Sequence, residues 1–168
     1  LELNEMELAL SADDTRARLA ILCRSAEICR RSLGDVGAAE TYYTRALDED
    51  CLCDEALRGL GQILKAQERW EDLAEMTERE LRATENGAQR ARCLRQLGEL
   101  YTLYLHEPER AVDAWRRLAA IAEEARPEAL MWLERLHEVL GQHDERFEVI
   151  SGRFTLCEDP GSRARLHF

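Results

Sequence analysis

Cysteine and histidine are the residues of this chain that could hold a metal or act as nucleophiles. The chain has four histidines and six cysteines, at Cys23, Cys29, Cys51, Cys53, Cys93 and Cys157. Structural zinc usually takes four ligands, commonly with close pairs spaced as C-x₂₋₄-C. Only Cys51 and Cys53 lie close in sequence, and they enclose a single residue. We therefore predict no metal and six reduced thiols, with Cys29 in a helix core and Cys51 and Cys53 at a packing turn.

No residue pattern predicts a catalytic centre. A nucleophilic cysteine needs a nearby base and an orienting group, and the spacing marks no single Cys–His pair. The many acidic residues have the helical spacing of a solvated face. Gly59-Leu60-Gly61 lies inside a helical pattern with no preceding strand, so it is not a phosphate loop. We expect a protein that is not an enzyme and that takes no cofactor.

The composition of the chain limits the classes of partner that it is expected to bind. The chain has 168 residues and a net charge of −11, with 34% charged and 45% hydrophobic residues. A chain this acidic repels phosphate backbones, which disfavours nucleic acid and anionic membranes as partners. No apolar run approaches the ~18 residues of a membrane span, so membrane insertion is not expected. Reduced cysteines would suit a cytoplasmic location.

An apolar pattern recurs four times along the chain. The four copies read Leu22-x-x-Ser25-Ala26-x-x-Cys29, Leu57-x-x-Leu60-Gly61-x-x-Leu64, Leu94-x-x-Leu97-Gly98-x-x-Tyr101 and Leu133-x-x-Leu136-His137-x-x-Leu140. Each set occupies one face of a helix, because its members fall at i, i+3, i+4 and i+7. The third member is small in the first three copies and marks where a second helix can approach closely. Successive third members, at positions 26, 61, 98 and 137, are separated by 35, 37 and 39 residues. Periods in this range are typical of helical hairpin repeats.

A second helix follows each of these first helices. Ala39-x-x-x-Tyr43 and Ala111-x-x-x-Trp115 place a small residue and an aromatic one on the same helical face. Gly34 is a helix stop, and Pro108 suits a first helical turn. First helices are predicted near residues 15–31, 54–66, 89–104 and 128–141. Second helices are predicted near residues 36–48, 70–84, 109–124 and 144–156.

These features resemble the tetratricopeptide repeat, whose pattern is W-x₂-L-G-x₂-Y, then A-x₃-F, then often P. The third repeat matches best, through Leu97, Gly98, Tyr101, Ala111 and Trp115, with Pro127 beyond. Departures are a leucine for the leading tryptophan in every repeat, Leu73 and Thr77 for the alanine and aromatic of the second repeat, and His137 for the glycine of the fourth. The resemblance implies an all-α, right-handed solenoid of antiparallel helix pairs, with about four repeats.

Partial repeats are expected at both ends, so the parent array is expected to be longer. The predicted organisation is a closing helix of a preceding repeat at 1–12, four repeats at 13–50, 51–86, 87–125 and 126–160, and the start of a further repeat at 161–168. The apolar face of the first segment is predicted to consist of Leu3, Met6 and Leu10. Apolar surface there and near Leu166 and Phe168 predicts end-to-end self-association.

In the tetratricopeptide family, the first helices line a concave groove that binds peptides. The resemblance places Arg30, Arg58, Gln62, Lys65, Arg92, Arg95 and Glu99 in such a groove, with Cys23 on the same strip. Arginine pairs well with carboxylates, so an acidic segment of a peptide or protein domain is the expected ligand. An equally open interpretation is that these are ordinary solvated helix faces with i, i+4 pairing.

The predicted function is a protein–protein interaction scaffold. The alternative is a self-association or assembly module of a larger multi-domain protein. The carboxylate clamp of some family members is not carried over, because Glu27 and Gln62 stand where it would need asparagine. Recognition of RNA is disfavoured because Glu134 and Glu138 make the fourth repeat's groove surface acidic.

Overall fold

The computed structural model describes residues 2–10 and 14–158, with side chains at 4–8 and 14–153. Every regular element in these ranges is helical, and they contain no strand. The helices are α1 (Glu2–Leu10), α2 (Thr15–Ile28), α3 (Val36–Glu49), α4 (Asp54–Ala66), α5 (Trp70–Ala83), α6 (Gly87–Glu99), α7 (Pro108–Ile121), α8 (Arg126–Val139) and α9 (His143–Glu158). The predicted start of a further repeat at 161–168 lies outside the described residues.

The predicted helical hairpins are confirmed. Helices α2, α4, α6 and α8 fall at the predicted first-helix positions, and α3, α5, α7 and α9 at the second. Helix α2 is prolonged by a π-helical turn at Cys29–Leu33, and α6 by one at Leu100–Tyr104. The chain divides into two compact units, Leu1–Thr84 with α1–α5 and Glu85–Phe168 with α6–α9.

One residue in each turn from a first to a second helix has left-handed backbone geometry. These residues are Gly34 (φ 67°), Glu68 (φ 57°), His106 (φ 54°) and Gly141 (φ 68°). Glycine suits this geometry because it has no Cβ, whereas other residues are strained in it. The helix stop predicted at Gly34 is confirmed. The left-handed residues at Glu68 and His106 carry no glycine signal, so the sequence did not indicate them.

Short polar side chains begin several helices. Asp35 Oδ1 accepts a hydrogen bond from the amide of Ala38 at 2.9 Å. Asn86 Oδ1 accepts one from the amide of Ala88 at 3.0 Å. These caps satisfy amides that have no partner inside the helix. Pro108 is in the first turn of α7, as predicted.

Helix α1 packs against α2 through a face that includes Asn4 and Leu8. Asn4 is buried and donates to Ser25 Oγ at 2.8 Å, and Leu8 is buried one helical turn later. Met6 is 64% exposed, which agrees with the apolar surface predicted for the first segment. The buried hydrogen bond of Asn4 was not predicted, because the sequence argument considered only apolar residues. The side chains of Leu3 and Leu10 lie outside the described set.

Close helix approach in the second unit occurs at Gly98. The indole of Trp115 is fully buried and lies over this glycine, and a Cβ there would be 2.5 Å from the Cε2 atom of the ring. The corresponding glycine of the second repeat behaves differently, which corrects the prediction for it. A Cβ on Gly61 would make ordinary contacts, 3.5 Å from Met76 Cε and 3.8 Å from Leu73 Cδ1. The reason is that Thr77 replaces the aromatic residue in that repeat.

The glycine in contact with an aromatic ring in the first unit is instead Gly59. A Cβ there would be 2.2 Å from Cζ of Tyr43. Tyr43 belongs to α3 and Gly59 to α4, so this contact joins the second helix of one repeat to the first helix of the next. The Leu60-Gly61 spacing did not reveal it.

The fourth repeat differs most from the family pattern. His137, which replaces glycine, is fully buried, and its Nδ1 lies 2.7 Å from Gln142 Oε1. The imidazole therefore fills the space that the pattern leaves for a closely packed helix. Phe147 of α9 is 71% exposed.

Candidate functional site

Three predicted binding residues form an exposed row on α4. Arg58, Gln62 and Lys65 are all exposed and occupy positions i, i+4 and i+7 of the helix. Arg58 Nε donates to the backbone carbonyl of Asp54 at 3.1 Å. Among the described residues, neither Arg58 nor Lys65 forms an ion pair with a carboxylate. Both charges therefore face solvent and can meet a ligand.

Arg30 is engaged inside the first unit. Its Nη2 atom lies 3.0 Å from Glu27 Oε1, and Glu27 Oε2 accepts a hydrogen bond from the hydroxyl of Tyr43 at 3.1 Å. Burial pushes the pKa of Glu27 upward, but the hydrogen bonds from Arg30 and Tyr43 outweigh burial, and the pKa lies below its usual range. Glu27 is therefore a carboxylate at neutral pH, and it neutralises much of the charge of Arg30.

The predicted residues of the second unit lie on α6. Arg92 and Glu99 are exposed, whereas Arg95 is half-buried. Arg95 Nε lies 3.0 Å from Glu128 Oε2, so this arginine links α6 to α8. The cationic row of this unit is accordingly weaker than the sequence suggested. The partner of Arg95, Glu128, lies 33 residues further along the chain. Helical periodicity relates only residues of the same helix, so it could not reveal this ion pair.

Many other arginines join neighbouring helices through ion pairs. Arg69 on the approach to α5 lies 2.7 Å from Glu40 on α3. Arg18 on α2 pairs with Glu49 at the end of α3. The hydrogen bond from Arg18 lowers the pKa of Glu49, despite an opposing effect of burial. Against this background, Arg58 and Lys65 differ in having no carboxylate partner among the described residues.

A cleft in the second unit was not predicted. It has a volume of about 310 Å³ and lies between the π-helical turn after α6, the start of α7 and α8. Its lining residues are Tyr101, Thr102, His106, Pro108, Trp132, Arg135, Leu136 and Val139. The ring of Trp132 stacks on Trp115 with a centroid separation of 5.8 Å. The wall formed by Trp132 is therefore supported by the buried core.

The lining of this cleft suits an apolar side chain that has a negatively charged group next to it. No carboxylate is among its lining residues, and Arg135 is exposed, with its guanidinium carbon 5.5 Å from the centre of the Trp132 ring. Val139 is 77% exposed at the edge. The only sequence signal was that Trp132, Arg135 and Val139 share a face of α8. Leu136 also lies on α8, and the other lining residues come from the segment between α6 and the start of α7.

The five cysteines whose side chains the structure describes are buried or half-buried, and the side chain of Cys157 lies outside the described set. Cys29 is fully buried, as predicted. Cys23, expected on the exposed strip, is instead buried, with its Sγ atom 3.9 Å from that of Cys53. Across the described residues, no group of three or more His, Cys, Asp or Glu side chains is placed to hold a metal ion. None of the described helices has the length and apolar character needed to cross a membrane.

Comparison with known proteins identifies the fold. No family model matches the chain, and no curated protein matches it. Among solved structures, the chain is similar to YrrB, a tetratricopeptide repeat protein with an unusual peptide-binding site. The two share 22% sequence identity with a TM-score of 0.54, over 94% of this chain and 75% of that one. The chain therefore has the tetratricopeptide-type fold of paired helices, and the resemblance found in the sequence is confirmed at the level of the fold.

Proposed function

We propose that this chain is a protein-interaction scaffold that binds an acidic segment of a partner through the exposed faces of its first helices. The tetratricopeptide-type fold supports this proposal, since YrrB carries a peptide-binding site on the same fold. Fold alone does not define function. The proposal therefore depends on the side chains that the first helices expose.

The exposed row on α4 is the observation that carries the proposal. Arg58 and Lys65 are separated by two helical turns, or about 10 Å along the helix axis at ~1.5 Å per residue. Carboxylates three residues apart on a chain in the extended polyproline II conformation lie on the same side of the chain, because it has three residues per turn, and are about 9 Å apart, at ~3.1 Å per residue. An extended peptide lying along α4 could therefore pair one acidic side chain with each cation. Gln62 lies between them and offers an amide to the peptide backbone.

The cleft of the second unit supplies a different kind of contact. Its aromatic walls would bury an apolar side chain, and Arg135 would pair with a carboxylate next to that side chain. We propose that Arg92, Arg95 and Glu99 add polar contacts on α6. Arg95 contributes less than Arg58, because a ligand must compete with Glu128 for it.

Charge reversal on α4 tests the acidic-ligand proposal. We expect an extended peptide with glutamate at every third position to bind the wild-type chain at low salt, measured by fluorescence anisotropy. Replacement of both cations (Arg58→Glu, Lys65→Glu) should weaken binding at least tenfold. Added salt should weaken wild-type binding, because exposed charges are screened over about 8 Å at physiological ionic strength.

The matched control is on the exposed face of α5. Glu71 and Glu75 are exposed one helical turn apart, and their replacement by lysine should leave peptide affinity unchanged. Melting of all variants should stay close to wild type, since exposed substitutions usually change stability by less than ~0.5 kcal/mol. The proposal is wrong if no acidic peptide binds at low salt, or if only the α5 variant loses binding.

A separate variant tests the cleft. Val139→Glu places a carboxylate at its exposed edge, where it should repel an acidic ligand and occlude the aromatic wall without disturbing the core. We expect weaker binding of an acidic peptide that ends in leucine, while a peptide lacking the leucine is affected less. Equal effects on both peptides would contradict the assignment of an apolar anchor to this cleft.

Self-association is the alternative outcome, because the acidic face of α5 on one copy could serve as the ligand for α4 on another. Sedimentation equilibrium distinguishes the two. A monomer that binds acidic peptide supports the scaffold. A dimer that is lost both on Arg58→Glu, Lys65→Glu and on Glu71→Lys, Glu75→Lys would support an assembly module instead.

A further inference from the structure

A cysteine sulfur of α2 is almost in contact with one in the turn that precedes α4. The Sγ atoms of Cys23 and Cys53 lie 3.9 Å apart, although the residues are 30 positions apart in sequence. Cys23 is in the middle of α2 and only 1% exposed. Cys53 immediately precedes α4 and is half-buried. This pair has no role in the proposed binding function.

The surroundings of Cys53 allow the two sulfurs to approach. A disulfide bond is about 2.05 Å long, so the sulfurs must move closer by roughly 1.9 Å. Cys53 lies in the short turn between α3 and α4, where its amide bonds to the carbonyl of Asp50 at 3.1 Å. Its side chain makes no capping hydrogen bond with α4. Side-chain rotation and a small shift of this turn can supply the movement while α2 stays in place.

We propose that Cys23 and Cys53 form a reversible intramolecular disulfide when the protein meets a peroxide. In the first step, the Cys53 thiol gives its proton to solvent and its sulfur attacks one peroxide oxygen. The O–O bond breaks, a sulfenic acid forms, and the departing hydroxide or alkoxide takes up a proton to give water or an alcohol. In the second step, the Cys23 sulfur displaces the sulfenic oxygen, which leaves as water after taking up a proton. Two thiols are oxidised by two electrons, and one hydroperoxide is reduced to water and an alcohol, or to two waters from hydrogen peroxide.

The order of the steps follows from burial. Cys53 is the more accessible sulfur, so it meets the oxidant first. Burial raises the pKa of Cys23 to about 12, and the neighbouring Cys53 adds to this shift. Cys23 is therefore a neutral thiol at physiological pH and reacts only with a sulfenic acid formed beside it. The second step should be the slower one, because Cys23 must lose its proton.

The bond would tie together the first helices of the first and second repeats. It would close a loop that contains the rest of α2 and all of α3, which restricts the unfolded chain more than the folded one. For a loop of this length, we expect the melting temperature of the oxidised protein to rise by about 7–15 °C. A reductant should reverse the change.

Peptide mapping of the whole chain tests the proposal. The protein is treated with hydrogen peroxide, remaining thiols are blocked with N-ethylmaleimide, and proteolytic fragments are identified by mass spectrometry. We expect one dominant crosslink, Cys23 to Cys53, at least tenfold more abundant than any other and absent after dithiothreitol. Cys51→Ser is the matched control, because Cys51 lies in the same turn and is equally half-buried; this variant should still form the crosslink.

Two further variants separate the roles of the sulfurs. Cys53→Ser should abolish the crosslink and the rise in melting temperature, and it changes only a half-buried side chain. Cys23→Ser should leave a sulfenic acid on Cys53 that dimedone traps. The proposal is wrong if the Cys51→Ser variant loses the crosslink, if disulfides form only between molecules, or if peroxide oxidises the thiols without joining these two.

Discussion

Replacing Gly98 with alanine tests the closest helix contact in the second unit. The added Cβ would lie 2.5 Å from Cε2 of Trp115 and 2.8 Å from both Cδ2 and Cζ2. Carbon atoms normally pack at about 3.5–4.0 Å, so the indole must move by roughly 1 Å. It has little room, because the ring is fully buried and its Nε1 donates to Thr102 Oγ1 at 3.2 Å.

Two opposing effects set the size of the change. Overpacking a core usually costs about 1–3 kcal/mol. Alanine in place of glycine inside a helix stabilises it by about 0.8–1.0 kcal/mol. We therefore expect Gly98→Ala to lower the free energy of unfolding by about 1–2 kcal/mol. At Gly61, where the nearest atom to the new Cβ is the flexible end of Met76, at 3.5 Å, the helix effect should dominate, and Gly61→Ala should stabilise by about 0.5–1 kcal/mol.

Urea unfolding followed by circular dichroism measures both variants. The double variant Gly98→Ala, Trp115→Leu removes the indole ring. Gly98→Ala should then lower the free energy of unfolding far less than it does opposite tryptophan, with a coupling energy above about 1 kcal/mol. If Gly98→Ala is as stable as Gly61→Ala, or if the double variant shows no coupling, then the indole is not the rigid obstacle that the structure indicates.

Two further predictions concern the first unit. Glu68 is exposed and has left-handed backbone geometry, so Glu68→Gly should raise the free energy of unfolding by about 0.5 kcal/mol, whereas Gly34→Ala should lower it by about 1 kcal/mol. Changes of the opposite sign in thermal melts would contradict the strain argument. The hydrogen bond from Arg18 lowers the pKa of Glu49 below the value of 4.5 expected when the chain is unfolded. This pair therefore stabilises the fold above about pH 4.5, and its contribution is lost as the pH falls through the pKa of Glu49 in the folded protein. Arg18→Met should return the Glu49 pKa, measured by NMR, towards 4.5 and flatten the acid dependence of stability; an unchanged pKa would show that Arg18 is not its cause.

The helical framework could be predicted because its signals are local. Each first helix repeats one apolar face, and Asp35 and Pro108 mark helix starts within a few residues of the observed ones. The positions of close approach were harder, because they depend on which residue lies opposite. Gly98 has an aromatic partner within its own repeat, whereas the partner of Gly59 is Tyr43 of the preceding repeat. A repeat pattern read one unit at a time cannot show that contact.

The candidate site was only partly predictable, for an electrostatic reason. Helical position identifies which cations are on an exposed face, but not which carboxylates neutralise them. The partner of Arg30 is Glu27, three residues away, and i, i+3 pairing made it foreseeable. The partner of Arg95 is Glu128 on another helix, and only the fold brings them together. The aromatic cleft was missed for the same reason, because its walls come from several elements.

This difference in pairing decides where binding should be tested. Reversing Arg95 would break an ion pair between α6 and α8 as well as remove a positive charge, so a loss of binding would have two explanations. Arg58 and Lys65 have no carboxylate partner among the described residues, and reversing them changes the surface potential with little effect on packing. A protein that carries a net charge of −11 repels acidic ligands over most of its surface. Arg58 and Lys65, two cations on the same exposed face of α4 without carboxylate partners among the described residues, should therefore have a measurable influence on where such a ligand binds.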